Sequence, residues 1–180
     1  SIKYGIMILT LGIVLGSWWA YRVLGWGGYW GWDPVENASL LPWLALIGLY
    51  HAVLSGHRIW IRLFSVIAFI SAIFSTSIIR SGLLVSVHTF AADSKILLAL
   101  GVYLIALLVL FLFGERKDTQ EAAWLPFKIH LWVSLFLLVV IGMTLILPGL
   151  SVAVGAGQMV FDVAFFNKLM TPLMILVLLG

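Results

Sequence analysis

The 180 residues hold no cysteine. That excludes a disulfide, a thiol nucleophile or a thiolate metal site built from this stretch. Charge is scarce as well: 9% of residues are Asp, Glu, Lys or Arg, against about 25% in soluble globular chains. The net charge of +3 is small and spread out, with no basic tail that would suit nucleic acid. Apolar–polar alternation is missing, so the pattern is not that of strands. No Gly-rich phosphate loop and no HExxH pair appears.

What is abundant is apolar sequence. Hydrophobic residues make up 63% of the chain, in blocks of roughly 17 to 20, the length that crosses a bilayer as a helix. The fold class is therefore an all-α polytopic membrane protein, a bundle of about six transmembrane helices in the lipid bilayer. The expected spans are Tyr4 to Tyr21, Trp43 to Ser55, Leu63 to Ile79, Ile96 to Phe113, Ile129 to Leu147, and a sixth from about Leu169. The first has no basic region beyond Lys3 and no small-residue cleavage site, so it does not read as a signal peptide. Its Gly12 and Gly16 have the small-x-x-x-small spacing of close helix contacts, and equally that of ordinary membrane glycines. The last apolar block runs to Gly180, so residues 1–180 are expected to be a fragment of one larger transmembrane domain.

The connections fall on two sides. One side carries Lys3, Arg58, Arg62, Arg116, Lys117 and Lys128, and the other Arg22, Arg80, Lys95 and Lys168. The bias places the first side in the cytoplasm and the second outside.

On the outer side stands GWGGYWGWDPVENASLLPW, Gly25 to Trp43. Six of the nine tryptophans fall between Trp18 and Trp43. An interfacial belt would spread them over both membrane surfaces. The clustering points instead to an aromatic shelf for a flat apolar ligand, made by Trp26, Tyr29, Trp30 and Trp32. Asp33-Pro34-Val35-Glu36 reads as a helix start, with Asp33 as N-cap, Pro34 at N1 and Glu36 closing a capping box. A short surface helix is expected from Pro34 to Leu41, broken by Pro42, with the span beginning at Trp43.

Four histidines remain. His51 is expected about 13 Å into the membrane past Pro42, where an ionisable group is costly. It is either hydrogen-bonded to a neighbouring helix or a haem iron ligand. His88 lies on the shelf side, in a segment bracketed by Arg80 and Asp93-Ser94-Lys95. A histidine beside an aromatic shelf suits axial ligation of a planar metallocycle. Arg80 is a candidate partner for acidic ligand groups, or a snorkelling interfacial cation. His57 and His130 read as ordinary residues at helix ends. No Cys-x-x-Cys-His segment for covalent haem attachment is present.

WGGYWGWDPVENASLLPWL resembles the tryptophan-rich motif, the WWD domain, of cytochrome c maturation proteins, and within them the haem lyase subunit of the multi-protein system. The match runs unbroken from Trp32 through Asn37, Ala38, Ser39, Pro42 and Trp43. SVHTFAADS looks like that branch's external histidine loop, and FFNKLMTPL like its later PYFN-x-x-x-x-P segment, with Phe165 for Tyr and Ala164 for Pro. The resemblance implies a single haem-handling domain with a tryptophan loop at 25–43 and an external histidine loop at 80–95. It implies that His88 binds the substrate haem and His51 an intramembrane haem b, each paired with a histidine outside residues 1–180. Catalytic side chains stay unknown beyond the shelf residues Trp26, Trp30, Trp32 and Asp33. The implied activity is thioether attachment of haem to apocytochrome c. The implied partners are apocytochrome c, a haem chaperone and the maturation subunits that reduce and bind apocytochrome, at a bacterial inner membrane with the loop facing the periplasm. The alternative is haem delivery without lyase chemistry.

Overall fold

A computed structural model of the chain describes residues 1–25, 28–80, 84, 86, 101, 105, 125–157 and 159–179. They form helices α1 (Ile2–Leu24), α2 (Pro34–Ser55), α3 (Arg58–Arg80), α4 (Leu125–Ala153) and α5 (Val163–Leu179). The first three and Lys128–Val152 within α4 are long and apolar enough to cross a membrane, and α5 contains a shorter apolar stretch. The all-α, multi-pass membrane architecture therefore stands. The expected number of about six spans is corrected to four among the described residues. The span expected at Ile96 to Phe113 lies outside them save for Gly101 and Ile105.

α2 is the centre of the bundle and packs against α1, α3 and α4, while α5 packs on α4. Its capped start follows the sequence signals. Gly56 closes it at φ 69°, in the left-handed region that a residue with a Cβ avoids. What the sequence did not predict is its continuity. Pro42 lies inside α2, not at a break. Proline has no N–H to donate to the carbonyl four residues back, here Ala38. α3 supplies the replacement: Ser75 Oγ donates to the Ala38 carbonyl at 2.6 Å. In a membrane, where water cannot serve, a neighbouring hydroxyl is how an interior proline is accommodated.

Close approach of α2 and α3 has a second device. A Cβ on Gly48 would stand 2.1 Å from Phe64 Cε1, so only glycine lets that buried ring lie against the helix. Phe64 is fully buried. α1 differs, since only 6% of its span is buried and it presents its apolar side chains outward, as a lipid-facing helix does. Among the described residues a Cβ on Gly12 or Gly16 would meet nothing within 4 Å, so neither glycine mediates a close contact between the described helices. Lys3 lies 5.5 Å from the Tyr50 ring centre, which puts the start of α1 beside the end of α2. The tryptophan loop is thus at one end of the bundle and His51 near the other.

Candidate functional site: the aromatic loop and the buried histidine

The loop is built on a buried acid. Glu36 Oε2 accepts from the backbone N–H groups of Gly31 at 2.9 Å and Asp33 at 3.1 Å. Asp33 Oδ2 accepts from Val35 N at 3.0 Å, and the full capping box is present. The two carboxylates therefore tie the loop to the first turn of α2. Ser86 Oγ donates to Asp33 Oδ2 at 2.5 Å. Ser86 is thereby held on the same cap. Arg80 itself is exposed in the last turn of α3, where a cation complements the helix dipole.

Trp32 is the pivot of the loop. Its φ is +56°, the one positive value at a non-glycine among the described residues. Its carbonyl accepts from Asn37 Nδ2 at 3.0 Å, and its indole Nε1 donates to Asn167 Oδ1 of α5 at 2.7 Å. One ring face lies on Phe166, with centroids 5.0 Å apart and planes 8° from parallel. Trp32 is 8% exposed. The sequence grouped it with the shelf rings. The structure makes it a buried anchor, with Trp30 edge-on to it.

The other rings are more open. Tyr29 is 59% exposed and stacks on Tyr21 at 4.5 Å. Trp30 is half-buried and stands edge-on to Trp32 at 5.8 Å. It lines a groove of about 440 Å³ between α1 and the loop, with Gly12, Gly16, Ser17, Glu36 and Ser39. The missing side chains at Gly12 and Gly16 widen this groove. Trp30 Nε1 is buried with no hydrogen-bond partner among the described residues, a donor that a ligand could satisfy. Trp43, by contrast, donates to Thr10 Oγ1 at 2.9 Å and joins α2 to α1.

His51 is buried, at 4% exposure. Its position changes with the continuity of α2. It stands four residues before Ser55, about 6 Å from the helix end at 1.5 Å per residue. Its burial within the protein includes a ring stack from α4. Nδ1 lies 2.9 Å from the Ile47 carbonyl. A carbonyl can only accept, so Nδ1 carries the hydrogen and Nε2 the lone pair in the neutral ring. His130 of α4 stacks face to face on His51, 4.9 Å between centroids and 5° between planes. His130 Nε2 meets the Leu176 carbonyl of α5 at 3.0 Å. It was read from sequence as an ordinary helix-end residue; it joins α2, α4 and α5 instead.

His88 and Trp26 lie outside the described residues, as does the rest of the external histidine loop save Arg80, Leu84 and Ser86. Phe166, Asn167 and Ser75 were missed as organising residues. FFN was visible as a motif, but nothing local announces a bond to a tryptophan 135 residues away. Among the described residues no three His, Asp or Glu side chains gather to hold a bare metal ion. A haem iron asks less of a protein, because the porphyrin supplies four of its ligands.

The Cytochrome C assembly protein family matches residues 1–85. The chain is 43% identical over 129 residues to the cytochrome c-type biogenesis protein NrfE of Haemophilus influenzae, covering 68% of this chain and 20% of that protein. It is 38% identical over 190 residues to the cytochrome c-type biogenesis protein CcmF of Escherichia coli, covering 94% and 28%. With CycK of Bradyrhizobium diazoefficiens the identity is 46% over 114 residues, 61% of this chain and 17% of the relative. The chain thus spans less than a third of the length of each of these three relatives. No solved structure matches. With a capped tryptophan loop on a bundle of apolar helices, and with these likenesses across most of its length, the chain belongs to the cytochrome c-type biogenesis family of membrane proteins.

Proposed function

We infer that this chain is the haem-handling part of a cytochrome c haem lyase, with the aromatic loop as the surface on which substrate haem is held. The observation that carries the reading is the loop: open aromatic rings beside a groove, fixed from beneath by two carboxylates, in a chain of the cytochrome c-type biogenesis family. The groove is within the range of small-ligand sites, roughly 300–1,000 Å³. Its aromatic and glycine lining suits a flat ring system, and the Trp30 N–H suits an acceptor at the ring edge. His88 and Arg80 are the candidates for iron and propionate contacts.

The chemistry is an addition. Each thiol of a Cys-x-x-Cys-His segment in apocytochrome c adds across a haem vinyl group, forming one S–C and one C–H bond with no leaving group and no net redox change. The nucleophiles belong to the substrate, so a chain without cysteine meets the requirement. What the protein supplies is position. A maturation complex, with a haem chaperone and subunits that reduce and bind apocytochrome, would bring both reactants to the periplasmic face.

His51 fits a haem iron by its donor chemistry. Metal-ligating histidines commonly donate the other ring N–H to a carbonyl, as Nδ1 does to Ile47. A haem b bound there would supply one-electron chemistry. His130 would not be among the residues that hold this group, because its ring lies face to face with that of His51.

The test uses the purified full-length protein with haem and a reduced Cys-x-x-Cys-His apocytochrome. Thioether product that falls severalfold in Trp30→Ala supports the reading. Haem uptake with transfer onward but no thioether product points to delivery alone, and no haem uptake at all overturns both. Orientation is tested by labelling Tyr29→Cys and Gln120→Cys in a background free of other cysteines. Outside label at Tyr29→Cys alone is expected, and the reverse pattern overturns the periplasmic placement.

A further inference from the structure

Trp32 adopts a backbone conformation that an L residue with a Cβ disfavours. Such a conformation persists only where its surroundings over-determine it. Three contacts do so here, and two of them come from α5: the Asn167 acceptor at 2.7 Å and the Phe166 face at 5.0 Å. The third, Asn37 Nδ2 to the Trp32 carbonyl, comes from the helix the loop leads into. The left-handed turn at Trp32 joins Trp30, which faces the groove, to Asp33, which caps α2. Releasing the indole would let the turn relax and would shift Trp30 with it. The start of α5 is itself held, since Asp162 Oδ1 accepts from Phe165 N at 2.7 Å. The acceptor and the stacking face are therefore presented by a capped helix, not by a free loop.

We propose that Phe166 and Asn167 are positioning residues of the haem surface, which through the indole of Trp32 set where the open rings of the loop stand. This rests on the haem reading above, and it adds to that reading a determinant far from the motif in sequence. Neither residue touches the substrate. Each acts through Trp32, and Trp32 acts through the turn.

The experiment is done on the full-length protein. Asn167→Leu removes the acceptor at similar volume, Asn167→Asp keeps one, and Trp32→Phe keeps the ring but not the N–H. The first readout is hydrogen exchange of the Trp32 indole N–H, which needs no haem. It should quicken about tenfold in Asn167→Leu, the scale of one lost hydrogen bond, and stay near wild type in Asn167→Asp. The second is haem titration, followed by affinity and by the induced circular dichroism of the Soret band, which reports how the ring is seated. Asn167→Leu and Trp32→Phe should each weaken binding severalfold and diminish that signal. Their double variant should be no worse than either alone, because both remove one interaction. Unchanged indole exchange in Asn167→Leu overturns the clamp. Quickened exchange with wild-type affinity and Soret dichroism overturns the positioning role, as do additive losses in the double variant. Wild-type protein that takes up no haem overturns the haem reading instead, and the exchange measurement still decides the clamp.

Discussion

The two ends of α2 are held by different physics. At its start, backbone amides converge on the buried Glu36, and a strained tryptophan is pinned by side chains from two helices. At its end, His51 makes a bond within its own helix and a ring stack across to α4. The first arrangement fixes where a surface lies. The second fixes the orientation and tautomer of one ring. A site that orients a large substrate needs the former, and a site that ligates a metal needs the latter.

The largest expected effect separates the ends outright. His51→Ala should strip an intramembrane haem, read as loss of pyridine haemochrome from the full-length protein, while Trp32 indole exchange stays as in wild type. His130→Leu should keep that haem, since the ring of His130 lies beside His51 and not opposite it. A haem that survives His51→Ala would end the assignment of His51 as its ligand.

The second effect joins the ends, because it acts on the helix between them. Gly48→Ala drives a methyl group into the Phe64 ring. Overpacking of a tight core costs about 1–3 kcal/mol, so denaturant unfolding should show a clear loss of stability. Gly12→Ala should be close to neutral, because a Cβ there meets nothing. Equal effects of the two substitutions would mean that α2 and α3 do not pack as described.

The same contrast governs what could be read from sequence. The membrane class followed from run length, and the cap at Asp33 and Glu36 followed from residue types at fixed spacing, because both are local. The path of α2 through Pro42 was not legible. It depends on Ser75, 33 residues further along, whose hydroxyl meets a carbonyl that the proline leaves bare. Trp32 was grouped from sequence with the shelf rings and not read as buried, since its cover, Phe166, lies on a different helix. His51 was singled out for its place along the helix, but its stack on α4 was not legible, since His130 read as an ordinary helix-end residue.

Ser75→Ala tests that tertiary repair and should rank third. It leaves the Ala38 carbonyl without its 2.6 Å donor, at a cost of about 1–3 kcal/mol for a buried acceptor. Pro42→Ala in the same protein restores a backbone N–H and should recover most of the loss, measured by the same unfolding curve. Full additivity of the two changes would mean that the serine and the proline are unrelated.

The smallest effect sharpens the loop end. Asp33 Oδ2 takes the Val35 N–H and the Ser86 hydroxyl, and both need only an oxygen acceptor. Asparagine offers that acceptor without the charge, and as an N-cap it ranks with aspartate. Asp33→Asn should therefore change stability by only a few tenths of a kcal/mol and keep most of the maturation activity. Asp33→Leu loses both bonds and should cost about 1 kcal/mol in helix capping, with a larger fall in activity because Glu36 then holds the loop without its partner in the cap. The two variants are compared by unfolding midpoint and by yield of thioether product. Equal activity loss in both, at unequal stability, would show that the carboxylate charge itself is needed at the haem surface. Loss confined to Asp33→Leu assigns Asp33 to geometry, in keeping with the rest of the loop end.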